Sequence, residues 1–259
     1  MKFNRILSMA AGLICCGSVI AAEEYSFATP EAWQNPAMLE VKDNSLIVSG
    51  GMKWLTGKKL IQVPEGSELQ ITGTYRAVAG TPKDTVYIGF RTYDANRREF
   101  KEINIRNVAG TETVLTADAK KGDTFIMVAD ASKWKNIHSP VWGAKEDLSD
   151  LPNYNILPAI DKIEKVGDAW KVTFKKVLPV DLAKDTAVRC HQSGGYMYFV
   201  FMPTVPGATN PKRNTNKKGV WPQARYVRFM VLANWKGGKD AKFEMIDPKV
   251  TVIPPAARQ

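Results

Sequence analysis

The sequence predicts an all-β protein: a β-sandwich interrupted by a small inserted β subdomain. Three observations carry this. Short segments alternate apolar and polar residues with period two, as strands with one buried face do. Clusters of Gly, Pro, Asn and Asp punctuate them. After the first 22 residues, no stretch holds a helical period for three turns.

Residues 1–22 stand outside the fold. Lys2 and Arg5 form a basic start, 6–20 is an apolar run, and Val19-Ile20-Ala21 or Ile20-Ala21-Ala22 offers a small-residue cleavage site. The run is too short for a permanent membrane anchor, so the expectation is a signal peptide and a secreted or periplasmic mature chain. Cys15-Cys16 suggests a lipid anchor, but small residues do not precede it, which disfavours that alternative. Cleavage leaves Cys190 as the one cysteine and no internal disulfide. A chain of this size buries enough surface to fold without one.

Cleavage also removes two positive charges, taking the formal net charge from +10 to +8. That balance favours anionic partners such as uronic or sulfated glycans, and export argues against nucleic acid. The densest basic run is Lys212-Arg213 with Lys217-Lys218, set among Asn, Thr, Pro and Gly, which reads as a solvated loop.

The strands follow in order. Asp43-Asn44 turns into 46–48. Residues 60–63 end at the turn Pro64-Glu65-Gly66-Ser67. In 68–76, Leu69, Ile71, Gly73 and Tyr75 share one face. The central segment is 84–107. Val86, Ile88 and Phe90 face the core, while Tyr87, Arg91 and Tyr93 face away. Asp94-Ala95-Asn96 turns, and 100–106 is expected to return as a strand through Ile103 and Ile105, with Phe100 out of frame at a bulge. Far downstream, Val227, Phe229, Val231 and Ala233 alternate with Arg228, Met230, Leu232 and Asn234, and this strand is expected beside 86–93.

Residues 112–185 read as the insert, with a turn at Gly122-Asp123, a strand at 124–128, a second turn at Asp130-Ala131-Ser132 and another strand at 169–174. The discontinuous sandwich is then 23–111 and 186–259. Residues 188–190 and 196–201 lead back into it, and 226–234 and 243–253 close it.

The pattern of the outer segments, ending in Phe243-Glu244-Met245-Ile246-Asp247-Pro248-Lys249-Val250-Thr251-Val252, resembles a jelly-roll carbohydrate-binding module of the galactose-binding-like type. The run from Leu115 through Lys121-Gly122-Asp123-Thr124 to Trp134 is similar to short β units of phage tail and bacterial surface proteins. The first resemblance implies non-catalytic glycan binding, often with a structural calcium at one edge of the sandwich. Asp247 matches the acidic position of the late strand and is the one candidate metal ligand. No other cofactor is implied.

Sugar recognition needs aromatic faces and planar polar groups on a rigid support. The candidate ligand-binding residues are Tyr87, Arg91, Tyr93, Arg228 and Asn234, ringed by Trp54, Trp142, Trp221 and Trp235. Cys190-His191 has the residue types of a nucleophile or metal pair. Neighbours on a strand point to opposite faces, so a buried thiol beside a polar histidine is expected instead. No HxH, HExxH, CxxC, GxSxG or phosphate loop is present. Asp94, Glu99 and Glu102 cluster near the hairpin tip, where a solvated turn explains them. Two other functions fit the composition: a structural or adhesive envelope component, and a polysaccharide lyase or glycoside hydrolase on the same fold.

Overall fold

A computed structural model describes residues 21–80, 86–194, 197–202, 213–214, 221 and 223–255. Residues 1–20 of the expected export signal, residues 81–84, Tyr196 and all of the basic run 212–218 except Arg213 and Asn214 lie outside these. Among the described residues, helical structure is limited to two 3-10 turns and one α-helical turn, Glu102–Ile105.

The protein is an all-β sandwich. One sheet runs Arg213–Asn214, Glu68–Ala79, Lys242–Ile253, Ser45–Ser49, Glu40–Lys42, and Glu23–Ser26 adds to the far end of Lys242–Ile253. The other runs Met197–Met202, Val86–Tyr93, Tyr226–Ala233, Lys53–Thr56, with Ile61–Gln62 and Glu99–Phe100 at its ends. Their facing sides share one core. Leu46, Val48, Leu69, Ile71, Tyr75, Phe243 and Met245 come from the first sheet, and Leu55, Ile88, Phe90, Val227, Phe229 and Val231 from the second. The alternation read from the sequence selects these residues. Phe27, Trp33 and Phe229 close one end with ring centroids 5.0 to 5.6 Å apart.

Val86–Tyr93 and Tyr226–Ala233 are direct antiparallel neighbours, in register from Tyr226 opposite Tyr93 to Leu232 opposite Tyr87. The long excursion between them in sequence therefore closes on a shared ladder.

The return arm differs from expectation. Only Glu99–Phe100 pairs back, and the chain then turns through Glu102–Ile105. Phe100 is buried in the core and ends the strand. Asn104 Oδ1 accepts from the Lys101 amide at 2.8 Å, which fixes the helical turn. Ile103 and Ile105 are a single pair, too short a pattern to establish a strand, and the Asn104 hydrogen bond closes the helical turn instead.

The middle of the chain has a second core of Leu115, Ile126, Val128, Trp134, Leu157, Ile160, Val172, Phe174, Leu178, Val188 and Cys190, among others. Two three-stranded sheets surround it: Phe125–Val128, Ala169–Phe174, Ile160–Val166, and His138–Trp142, Ala187–Gln192, Thr113–Val114. Ala187–Gln192, expected to lead back into the sandwich, is the central strand of the latter. Its reason is apolar: Val188 and Cys190 are buried in this second core.

Candidate functional site

The side of the second sheet that faces away from the core carries Tyr87, Arg91, Tyr93, Arg228 and Trp54 of the predicted residues. Three rungs of the ladder order them. Tyr226 lies opposite Tyr93, Arg228 opposite Arg91, and Leu232 opposite Tyr87 on one side and Trp54 on the other. Between them, Met230 is flanked by Gly89 and Thr56.

This face is not one open wall. Met230 and Leu232 are 0% and 2% exposed, so its centre is closed. Tyr226–Ala233 therefore buries both faces over Phe229 to Ala233. The unbroken apolar run Phe229-Met230-Val231-Leu232-Ala233 is the sequence signature of that, and alternation alone passed over it. What stays half-buried at one end is the group Tyr93, Tyr226, Arg91 and Arg228. At the far edge Trp54 is 41% exposed.

The chemistry at the tyrosine–arginine end is specific. Arg91 pairs with Glu99 through Nη2–Oε2 at 2.5 Å and Nε–Oε1 at 3.2 Å. The Arg97 guanidinium lies 5.5 Å from the centre of the Tyr226 ring. Arg228 is different: its Nε is buried and has no hydrogen-bond partner among the described residues. Tyr226 and Arg97 were not among the predicted site residues. Tyr226 shares parity with Arg228, two positions on, and that signal was available in the sequence.

The other predicted residues part from this group. Asn234 is buried, sits just past the strand at φ 54°, and donates from Nδ2 to the carbonyls of Val48 at 3.1 Å and Gly50 at 2.7 Å. It ties the two sheets together and is not part of the outer face, because strand parity lapses where the strand ends. Trp142 belongs to the second core's rim, and its carbonyl accepts from Asn153 Nδ2. Trp221 packs against Phe100 at 5.9 Å, on the sandwich core. Trp235 meets Tyr87 edge-on at 5.3 Å, at the closed end of the face.

The carboxylates near the hairpin tip all hold partners. Asp94 accepts from the Asn96 and Arg98 amides and from the Tyr154 hydroxyl at 2.9 Å. Glu99 holds Arg91, and Glu102 pairs with Arg106. Asp247 sits in a bulge at φ 47° and lines a shallow cleft of about 360 Å³. There the Lys249 ammonium lies 3.1 Å from Asp247 and 3.3 Å from Glu24, in the position a cation would take between those carboxylates. Among the described residues, no three His, Cys, Asp or Glu side chains come together.

Cys190 and His191 point apart. The thiol lies in the second core, and burial pushes its pKa well up. His191 Nε2 accepts from Arg189 Nε at 2.9 Å, so Nδ1 carries the proton and donates to the Ile103 carbonyl at 2.8 Å. Arg189, itself fully buried, also binds Asp150 at 2.8 Å and the Lys145 carbonyl at 3.0 Å.

A second concavity, about 580 Å³, lies between Glu24–Phe27 and Lys58–Leu60, with the Lys59 ammonium 5.7 Å from the Tyr25 ring centre. Its charged residues, Glu24, Glu31, Lys58 and Lys59, balance in sign. No helix of the described residues is long and apolar enough to cross a membrane. No known family model matches the chain, and no curated protein aligns with it.

Proposed function

We propose that this protein is an exported, non-catalytic glycan-binding β-sandwich of the jelly-roll type. One observation carries the reading: Tyr93 and Tyr226 lie beside Arg91 and Arg228 on adjacent rungs of one sheet face. Tyrosine rings offer a flat apolar face for the C–H side of a sugar, and arginines offer planar donors for its oxygens. Both come from strands packed on a large core, so the geometry is held before any ligand arrives. The basic balance of the chain and the export-type N-terminus support an extracellular polysaccharide as the partner. The engaged state of Asp94, Glu99 and Glu102 favours binding over hydrolysis.

Affinity electrophoresis through gels containing neutral and acidic polysaccharides tests this. The protein is expected to be retarded, and Tyr226→Ala to weaken that retention about three- to tenfold through loss of one stacking face. Trp54→Ala, at the far edge, is expected to leave retention unchanged. Migration unaltered by every polysaccharide overturns the reading.

A further inference from the structure

We infer that Arg228, facing Arg91 across the ladder, is a receptor for one oxyanion, and that the glycan bound here carries carboxylate or sulfate groups. This rests on the glycan-binding reading and names its ligand class. Residues directly opposite on antiparallel strands have Cβ atoms about 5 Å apart, and like charges so placed repel. Two arginines stand in that relation here. The repulsion is answered on one side only, because Glu99 holds Arg91 in a two-point ion pair. Arg228 has no such partner: its Nε is buried without an acceptor among the described residues, and the residue is half-buried.

A guanidinium nitrogen withdrawn from water without an acceptor, as Nε of Arg228 is among the described residues, is destabilising to the free protein. An oxyanion seated on it supplies the missing acceptor, separates the two like charges and gains charge-assisted bonds of the fork geometry that arginine favours. A neutral hydroxyl supplies the acceptor without the charge. Arg97, over the Tyr226 ring, adds a third positive group within the same patch. The next rung places Tyr226 opposite Tyr93, so a sugar whose acid group meets Arg228 has an aromatic surface beside it.

The test is affinity electrophoresis of the full chain against four probes: dextran, dextran sulfate, polygalacturonate and its methyl ester. The expected result is stronger retention by the two acidic forms than by their neutral counterparts. Arg228→Gln is expected to weaken acidic retention by about tenfold or more and to leave neutral retention as it was. Arg228→Lys, which keeps the charge and loses the fork, falls between. Lys176→Gln removes the same charge from an exposed site in the second unit and controls for general attraction to polyanions. A thermal melt of Arg228→Met separates binding from folding. Removal of the buried, unpaired Nε is expected to leave the unfolding temperature unchanged or raised, and a lower one overturns the idea that this nitrogen is held without an acceptor. Equal losses in Arg228→Gln and Lys176→Gln, or retention without preference for acid, overturn the oxyanion site and leave glycan binding standing. No retention by any of the four takes both down.

Discussion

At the scale of single residues, burial decides what a polar group does. Asn234 combines a left-handed backbone with two donated hydrogen bonds to a strand of the opposite sheet. Asn234→Ala leaves two carbonyls short of a donor and keeps the strained φ, so urea unfolding is expected to show a loss of about 2–4 kcal/mol. Asn234→Gly relieves the backbone alone and is expected to lose less. His191 gives a pH prediction. Burial lowers its pKa, with the Arg189 guanidinium acting in the same direction, while the Ile103 carbonyl and Asp150 act against. Unfolded His191 gains a proton near pH 6.5, whereas the folded form gains it only at lower pH. Below about 6.5 the unfolded state thus binds more protons, and stability falls with pH until the folded form is also protonated. His138 is shifted the same way by burial and Lys135, and adds to the slope. His191→Asn, which keeps a donor towards Ile103, is expected to flatten the stability profile between pH 6.5 and the acid limb in chemical-denaturation series. An unaltered slope assigns the effect to His138.

At the scale of elements, strand faces were legible wherever alternation was clean. Leu69, Ile71 and Tyr75, and Val227, Phe229 and Val231, all enter the core that their parity indicates. Legibility failed where a residue's surroundings are long-range. The strand after Phe100 was lost to an Asn104 side chain whose amide also reaches the carbonyl of Asn153, 49 positions away. Gly73 shows the same limit in reverse. Its period-two position reads as an ordinary strand glycine, yet it has φ 122°, and an added Cβ would lie 2.9 Å from the Asp247 carbonyl oxygen and the Pro248 Cα. That close approach is the other side of the bulge in Lys242–Ile253. Gly73→Ala is expected to destabilise by more than about 2 kcal/mol, through backbone conformation and contact together. Gly122→Ala, also at positive φ but with open space around it, is expected to cost only about 1 kcal/mol. Equal losses at the two glycines in thermal or urea melts refute the contact at Gly73.

At the scale of the whole molecule, the two cores are joined by polar contacts at two places: His191 and Gln192 bind the carbonyls of Ile103 and Arg106, and a second group lies at the hairpin tip. Asn104 and Asn153 exchange hydrogen bonds at 2.8 and 3.1 Å, Tyr154 donates to Asp94, and the Arg98 guanidinium lies 3.4 Å over the Tyr154 ring. These contacts connect the hairpin tip of the sandwich to the loop before Ile160–Val166. Tyr154→Phe removes the hydroxyl that donates to Asp94 and to the Arg98 carbonyl and keeps the ring, a change of about 1 kcal/mol. Hydrogen exchange is expected to quicken about fivefold at both 94–98 and 150–156, with amides of 227–231 unchanged. Faster exchange on one side only shows that the contact does not couple the two units. The candidate site lies on the sandwich, so the same variant is expected to leave polysaccharide retention intact.

Local patterning was enough for the all-β class, the two strands that meet across the long excursion, and the tyrosines and arginines turned away from the core. Each of these follows from side-chain period, a property of a few adjacent residues. The folded arrangement of distant segments is what closes the middle of that face, makes Asn234 hold the sheets together, sets Lys249 between Asp247 and Glu24, and leaves the Nε of Arg228, opposite Arg91, without an acceptor among the described residues. Solvent access and hydrogen-bond pairing depend on groups brought from distant positions, such as Val48 and Gly50 to Asn234, and no local pattern encodes which groups those are.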